Sequence, residues 1–267
     1  KLFLNSNAFR IMIEVNNLHK SFGEAHILKG ISTTFEKGKT NMIIGQSGSG
    51  KTVFLKCLLG LHKHEQGTIS FDGRIYSELD INQKRALRTE IGMLFQGSAL
   101  FDSLTVEENI MFPLKMFANQ TKKEMLYNVN SVLERVNLVG ANPKFPAELS
   151  GGMQKRVAIA RAIVMNPKYL FCDEPNSGLD PQTATVIDNL IQEITRENGI
   201  ITVVNSHDMN SVMEIGEKIV FLKDGKKAWE GTNKEIFITE NQAVINFVYS
   251  SNLFKKVREV YLNESKL

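Results

Sequence analysis

Two periodicities alternate along this chain. Residues 40–44 form a short apolar run ending at Gly45, and Val53, Phe54, Leu55, Leu58, Leu59 and Leu61 then recur as the buried face of a helix would. From residue 12 to about residue 88 the pattern is β-rich, closing on that loop and helix. Residues 97–158 read as helical, with Met111, Met116 and Met125 at apolar positions. The stretch 157–164 is too apolar for a free surface and is expected in the core. From Pro167 onward, strand-like runs at 168–173, 200–205 and 218–222 alternate with helical patterns at 181–197 and 209–215. Ile187, Leu190, Ile191 and Ile194 share one face of the first of these helices, which Asn198-Gly199 should stop. Such alternation predicts a mainly parallel sheet covered by helices. After Gly231 the pattern changes. Phe247, Val248, Leu253, Phe254, Val257, Val260 and Tyr261 make a helical apolar stripe, with Lys255, Lys256 and Arg258 off it. Packing on its own domain, docking on a partner chain and lying on a membrane are the three roles open to it.

Chemistry enters at the first strand–helix junction, Gly45-Gln46-Ser47-Gly48-Ser49-Gly50-Lys51-Thr52. A glycine-rich turn between strand and helix exposes backbone N–H groups, and the helix adds its positive end, so phosphate is favoured there. Gly45, Ser47, Gly48 and Gly50 are the expected cradle, Lys51 the charge for β- and γ-phosphates and Thr52 a Mg²⁺ ligand. An ordinary Gly/Ser turn is the plain alternative, but strand, loop, Lys-Thr and helix stand in the order a nucleoside triphosphate site requires. A second apolar run, 169–174, ends in Asp173 and Glu174. Two carboxylates closing a buried strand need compensation. Mg²⁺ would provide it for Asp173, leaving Glu174 to orient and deprotonate an attacking water; a strand-end salt bridge is the alternative. Ser150-Gly151-Gly152 is a separate glycine turn opening a helix, suited to a second phosphate contact.

With these motifs in place, residues 12 to about 240 resemble the ABC-transporter ATPases, and Leu149-Ser150-Gly151-Gly152-Met153-Gln154 is similar to that family's signature. The resemblance implies an α/β P-loop fold: a RecA-like mixed sheet, an antiparallel β subdomain and an inserted α-helical subdomain. It implies that Phe22 stacks on adenine, and that Gln96 joins the nucleotide site to the helical subdomain and reaches the Mg²⁺ with Thr52 and Asp173. His207 would be the switch at the γ-phosphate beside the catalytic Glu174. Ser177-Gly178-Leu179-Asp180 would cross a dimer interface. Read alone, Phe22 would be a core aromatic, Gln96 a solvated polar residue and His207 a helix-start histidine. Asp180 also suits an N-cap ahead of Pro181. The segment from Met93 through Gly97-Ser98-Ala99-Leu100-Phe101 to Asn109, with Phe112-Pro113-Leu114, resembles the ATPases of Mla-type (maintenance of lipid asymmetry) phospholipid transporters, which work with MCE-domain proteins. Gly97-Ser98, Asn176 and Asn205-Ser206 depart from the usual pattern, none at a phosphate-contacting position.

The resemblance implies ATP and Mg²⁺ as cofactors and a homodimer sharing ATP between Lys51 of one copy and Ser150 of the other. It also implies a separate integral-membrane permease of Mla type with an MCE-domain lipid-binding protein, at the cytoplasmic face of the inner membrane. An ABC ATPase for another cargo, and a soluble ABC-type protein acting on ribosomes or DNA, are the alternatives. The second usually has two ATPase domains in one chain or a long coiled coil between its motifs, and neither is here.

Composition adds limits. The 267 residues, 42% hydrophobic, are enough for one sizeable unit. A net charge of +3 gives no argument for nucleic acid. Cys57 and Cys172 fall within predicted core elements without metal-ligand spacing, as inert thiols of a reducing cytoplasm would. No apolar run reaches the roughly 18–20 residues of a membrane helix. Residues 1–11 lack signal-peptide features and Met12 would be a sensible start, so 1–11 are expected to be a leader or an artificial extension. The expected layout is thus an ATPase domain over 12–240, its helical subdomain at about 97–158, and a C-terminal helical extension over 241–267.

Overall fold

The apolar runs become neighbouring strands of one sheet. In the computed structural model, which describes residues 12–250 and 252–264, β1 (Met12–Phe22), β2 (Ala25–Glu36), β3 (Thr40–Ile44), β4 (Gln66–Phe71) and β5 (Arg74–Ile75) precede β6 (Ile91–Leu94) and β7 (Tyr169–Asp173). β8 (Ile201–Asn205), β9 (Lys218–Lys223) and β10 (Lys226–Gly231) follow. Among the described residues one sheet runs β10-β9-β3-β8-β7-β6, parallel except for the antiparallel edge strand β10. Strands covered on both faces have no solvent side, which is why β3 and β8 are buried at every position. A second sheet, β2-β1-β4-β5, is antiparallel. The predicted leader, 1–11, lies outside the described residues.

Helix α1 (Lys51–Leu58) packs between the two sheets, joining Phe54 and Leu55 to Phe35, Phe71, Tyr169 and Phe171 in one apolar cluster. Leu61, expected on the buried face of this helix, is exposed, because the chain leaves the helix at Gly60 with φ +67°. After α2 (Ile81–Thr89) come α3 (Val106–Phe117) and α4 (Lys122–Arg135), each opened by a reciprocal cap, Thr105 with Glu108 and Thr121 with Glu124. With α5 (Gly151–Ile163) and α6 (Pro181–Glu197) they build a second cluster on the other face of the parallel sheet. Met111 is buried in it, but Met116 points to solvent.

The short α7 (Met209–Ile215) and α8 (Glu235–Ile238) lead to α9 (Gln242–Val248) and α10 (Asn252–Glu264). Of the three roles open to the C-terminal stripe, packing on its own domain is the one these helices display. Val244, Val248 and Tyr249 are buried, and Phe247 stacks on Phe221 at 5.1 Å. On α10, Tyr261 stacks on Phe237 at 4.7 Å and Arg258 donates to the carbonyls of Phe237 and Thr239, while Leu253, Val257 and Val260 face outward.

Candidate nucleotide site

β3 delivers the chain into a turn that only glycine fits at two places. Gly45 has φ +153°, and a Cβ there would lie 2.3 Å from the Leu222 carbonyl oxygen. Gly50 has φ +101°, and its Cβ would lie 2.9 Å from Leu28 Cδ2. Gly48 at φ +79° makes a third left-handed residue. Residues of alternating hand shape backbone amides into an anion-binding concavity, and this one opens on the N-terminus of α1. Lys51 is buried beneath it, its Nζ donating to the carbonyls of Gly45 (2.8 Å) and Gln46 (3.2 Å). Burial pulls its pKa down, against the nearby carboxylates of Glu174 and Asp173. Ser49 Oγ is buried here without a protein partner.

The acids arrive on neighbouring strands. Asp173 ends β7 and pairs in register with Asn205, which ends β8. Asn205 Nδ2 donates to Asp173 Oδ1 at 2.5 Å and lies 3.5 Å from Thr52 Oγ1. Burial raises the Asp173 pKa, and the Asn205 hydrogen bond opposes that. Glu174 turns the chain with φ +49°, held by its N–H donating to the Asn205 carbonyl at 2.8 Å. Its Oε2 lies 2.6 Å from His207 Nδ1. Gln96 Nε2 donates to Ser177 Oγ at 3.3 Å, and the Gln96 carbonyl accepts from the buried Lys155 ammonium. A cavity of about 800 Å³ is lined by the phosphate loop, Lys51, Thr52, Gln96, Glu174 and His207, with Ile27 and Phe247 as apolar walls. That volume falls in the range of ligand pockets.

The remaining candidates stand elsewhere. Ser150 caps α5 by accepting from the Met153 N–H, and Asp180 caps α6 by accepting from the Thr183 N–H at 3.0 Å. Both line a second cavity, of about 330 Å³, with Gly151, Gly152, Gly178 and Leu179. No lining residue is common to the two cavities. Phe22 is 46% exposed, edge-on to His62 at 5.2 Å, with Lys20 Nζ 4.7 Å from its ring. It does not line the larger cavity.

The donor set suits nucleotide and Mg²⁺. The cradle needs its glycines, two buried polar oxygens (Ser49 Oγ and Asn205 Oδ1) lack protein partners, and Thr52 stands beside Asp173 through Asn205. Among the described residues no cluster of three or more His, Cys, Asp or Glu could hold a metal by itself. Ser49, Asn205, Lys155 and Phe247 are the site residues that sequence reasoning missed. Asn205 carried a signal, a polar residue closing an apolar run.

The chain matches the ABC transporter family over residues 28–177. A methionine import ATP-binding protein of Campylobacter jejuni is 38% identical over 260 residues, covering 90% of this chain and 76% of the relative. The chloroplast protein trigalactosyldiacylglycerol 3 of Arabidopsis thaliana is 35% identical over 257 residues, covering 90% and 74%. A dimeric ATP-binding cassette solved with ADP and phosphate in a post-hydrolysis state superposes with a TM-score of 0.75 at 32% identity, covering 83% of this chain and 98% of that one.

Proposed function

Because this chain belongs to the ABC transporter family, as an ATP-binding subunit that hydrolyses ATP with Mg²⁺ and works with a membrane permease, we propose that two copies stack head to tail and drive a phospholipid permease of Mla type. The observation that carries the stacking is that the phosphate loop and the Ser150–Asp180 surface line different cavities of one chain. A second copy brings its Ser150, Gly151 and Gly152 to the first copy's nucleotide, with Asp180 crossing the interface.

In that arrangement Lys51 exchanges the carbonyls of Gly45 and Gln46 for phosphate oxygens. Glu174, aimed by its positive φ and paired with His207, accepts the proton of the attacking water, and His207 reads the γ-phosphate. Thr52, Gln96 and Asp173 are the residues that would hold Mg²⁺, which supplies charge neutralisation to the phosphates. Phe22, exposed and outside the cavity lining, would meet adenine beyond it. Lys155 carries movement of the Gln96 loop to α5 through its bond to the Gln96 carbonyl.

The permease docks beside that loop. An apolar groove of about 500 Å³ is lined by Phe95, Phe101, Phe112, Pro113, Phe117 and Met165 among others, and Phe95, Phe101, Phe112 and Phe117 are exposed. A short amphipathic helix would bury them. Leu100, in contrast, is partly buried against the core. No helix among the described residues is long and apolar enough to cross a membrane. The site of action is the cytoplasmic face of the inner membrane, with an MCE-domain protein as the further partner.

For lipid cargo, the support is the resemblance over residues 93–114 and a relative named for a glycolipid. The 38% identical methionine importer favours a second reading, methionine uptake. Affinity purification of the full chain from native membranes, followed by reconstitution of what co-purifies, separates them. A phospholipid permease with an MCE-domain protein, and ATPase activity that follows the phospholipid supplied, are expected. A permease stimulated by methionine instead would overturn the lipid assignment and leave the ATPase standing.

A further inference from the structure

Asn205 is fully buried at the end of β8, between β3 and β7, where every other position of its strand except Thr202 is aliphatic. It grips both acids. Its Nδ2 donates to Asp173 Oδ1 at 2.5 Å and lies 3.5 Å from Thr52 Oγ1, and its carbonyl accepts from the Glu174 N–H at 2.8 Å. A carboxylate only accepts, so the amide must turn its NH₂ to Asp173. That orientation leaves Asn205 Oδ1 buried without a partner. A buried carbonyl oxygen ordinarily has one, supplied by protein or ordered water. Water enters such a place when further polar groups stand nearby, and Thr52 and Asp173 lie at the other atom of the same amide, its Nδ2.

Resting on the reading that Mg²⁺-nucleotide binds at the phosphate loop, we propose that Asn205 is a positioning residue of the metal site: its amide holds Asp173 against Thr52, and its Oδ1 accepts a hydrogen bond from water in the metal's shell. Asn205 does not touch phosphate in this arrangement. It orders the groups that face the ion, the kind of outer-shell contact whose removal typically weakens a metal about 10–100-fold.

The test separates metal from nucleotide. Binding of a fluorescent ATP analogue to the full chain is measured in EDTA and across Mg²⁺ titrations, with Mn²⁺ titrations followed by electron paramagnetic resonance as a readout independent of hydrolysis. Asn205→Val removes donor and acceptor while keeping a strand-favouring side chain. It is expected to bind the metal-free analogue as the parent does and to need about 10–100-fold more Mg²⁺ or Mn²⁺. Asn205→Thr keeps a donor and an acceptor and should recover part of that loss. Asn205→Ala is read in the same way if the valine variant does not fold. Parent-like metal dependence in the valine or alanine variant, or equal losses in valine and threonine variants, overturns the proposal. Thr52→Val is the control. If it and the parent respond alike to Mg²⁺, the assignment of the metal site itself has failed.

Discussion

Replacing Asp188 with Asn should make the protein more stable at neutral pH and change nothing in acid. Asp188 lies on α6 and is only 2% exposed. It accepts from Asn176 Nδ2 at 2.7 Å and is hydrogen-bonded to Ser211, but burial outweighs both contacts, and Asp208 and Glu214 add like charge. The carboxyl is pushed up from 3.8 to about 6. For an acid, a folded-state pKa above the unfolded one means that folding disfavours the charged form. Stability therefore falls as pH rises from about 4 to about 6, and the full penalty is present above 6. About two pKa units correspond to about 3 kcal/mol. Asparagine is neutral throughout. It keeps an acceptor for Asn176 Nδ2. The pKa shift of Asp188 already nets both hydrogen bonds against burial, so the expectation is a stabilisation of about 3 kcal/mol at pH 7.5, vanishing near pH 4. Urea unfolding at four pH values between 4 and 7.5 measures it. A variant less stable than the parent at pH 7.5, or a difference independent of pH, would refute the reasoning. Asn176 lies between Glu174 and the Ser177–Asp180 turn, and Ser211 follows His207 by four residues, so the same substitution reaches the loops around the nucleotide.

Glu174→Gln should retain ATP binding and hydrolyse about 10²–10⁴-fold more slowly in the assembled complex; full turnover there would remove Glu174 as the base. Mixing Ser150→Arg chains with Lys51→Ala chains should restore activity above either alone, since both defects then fall in one shared site. No recovery, with mixed dimers shown by native mass spectrometry, sinks the shared-site arrangement. Truncation after Glu240 should unfold the protein. It removes the buried Val244, Val248 and Tyr249, worth roughly 1.5–3 kcal/mol each for side chains of this kind, against a total of about 5–15. Truncation after Ser250 removes α10 and the residues flanking it, and should leave a folded chain of lower melting temperature; a circular-dichroism melt distinguishes the two outcomes.

What local rules govern was legible in the chain. The cradle follows from Gly45 and Gly50, whose positive φ and close neighbours exclude any side chain. Ser150 and Asp180 cap α5 and α6 through N–H groups three residues on. The helix Pro181–Glu197 and the parallel sheet followed from period alone. Tertiary structure decided the rest, because it depends on which strands become neighbours. Asp173 meets Asn205 across 32 residues of chain only because β7 and β8 pair in that register, and a slip by one would turn Asn205 to the opposite face. Phe247 walls the nucleotide cavity because α9 folds back onto β9, a contact that no spacing announces. The same physics separates the two half-sites. Each is built from its own short segment, but the sheet and the helical layer hold those segments in different cavities, which is why the proposed shared site needs a second copy.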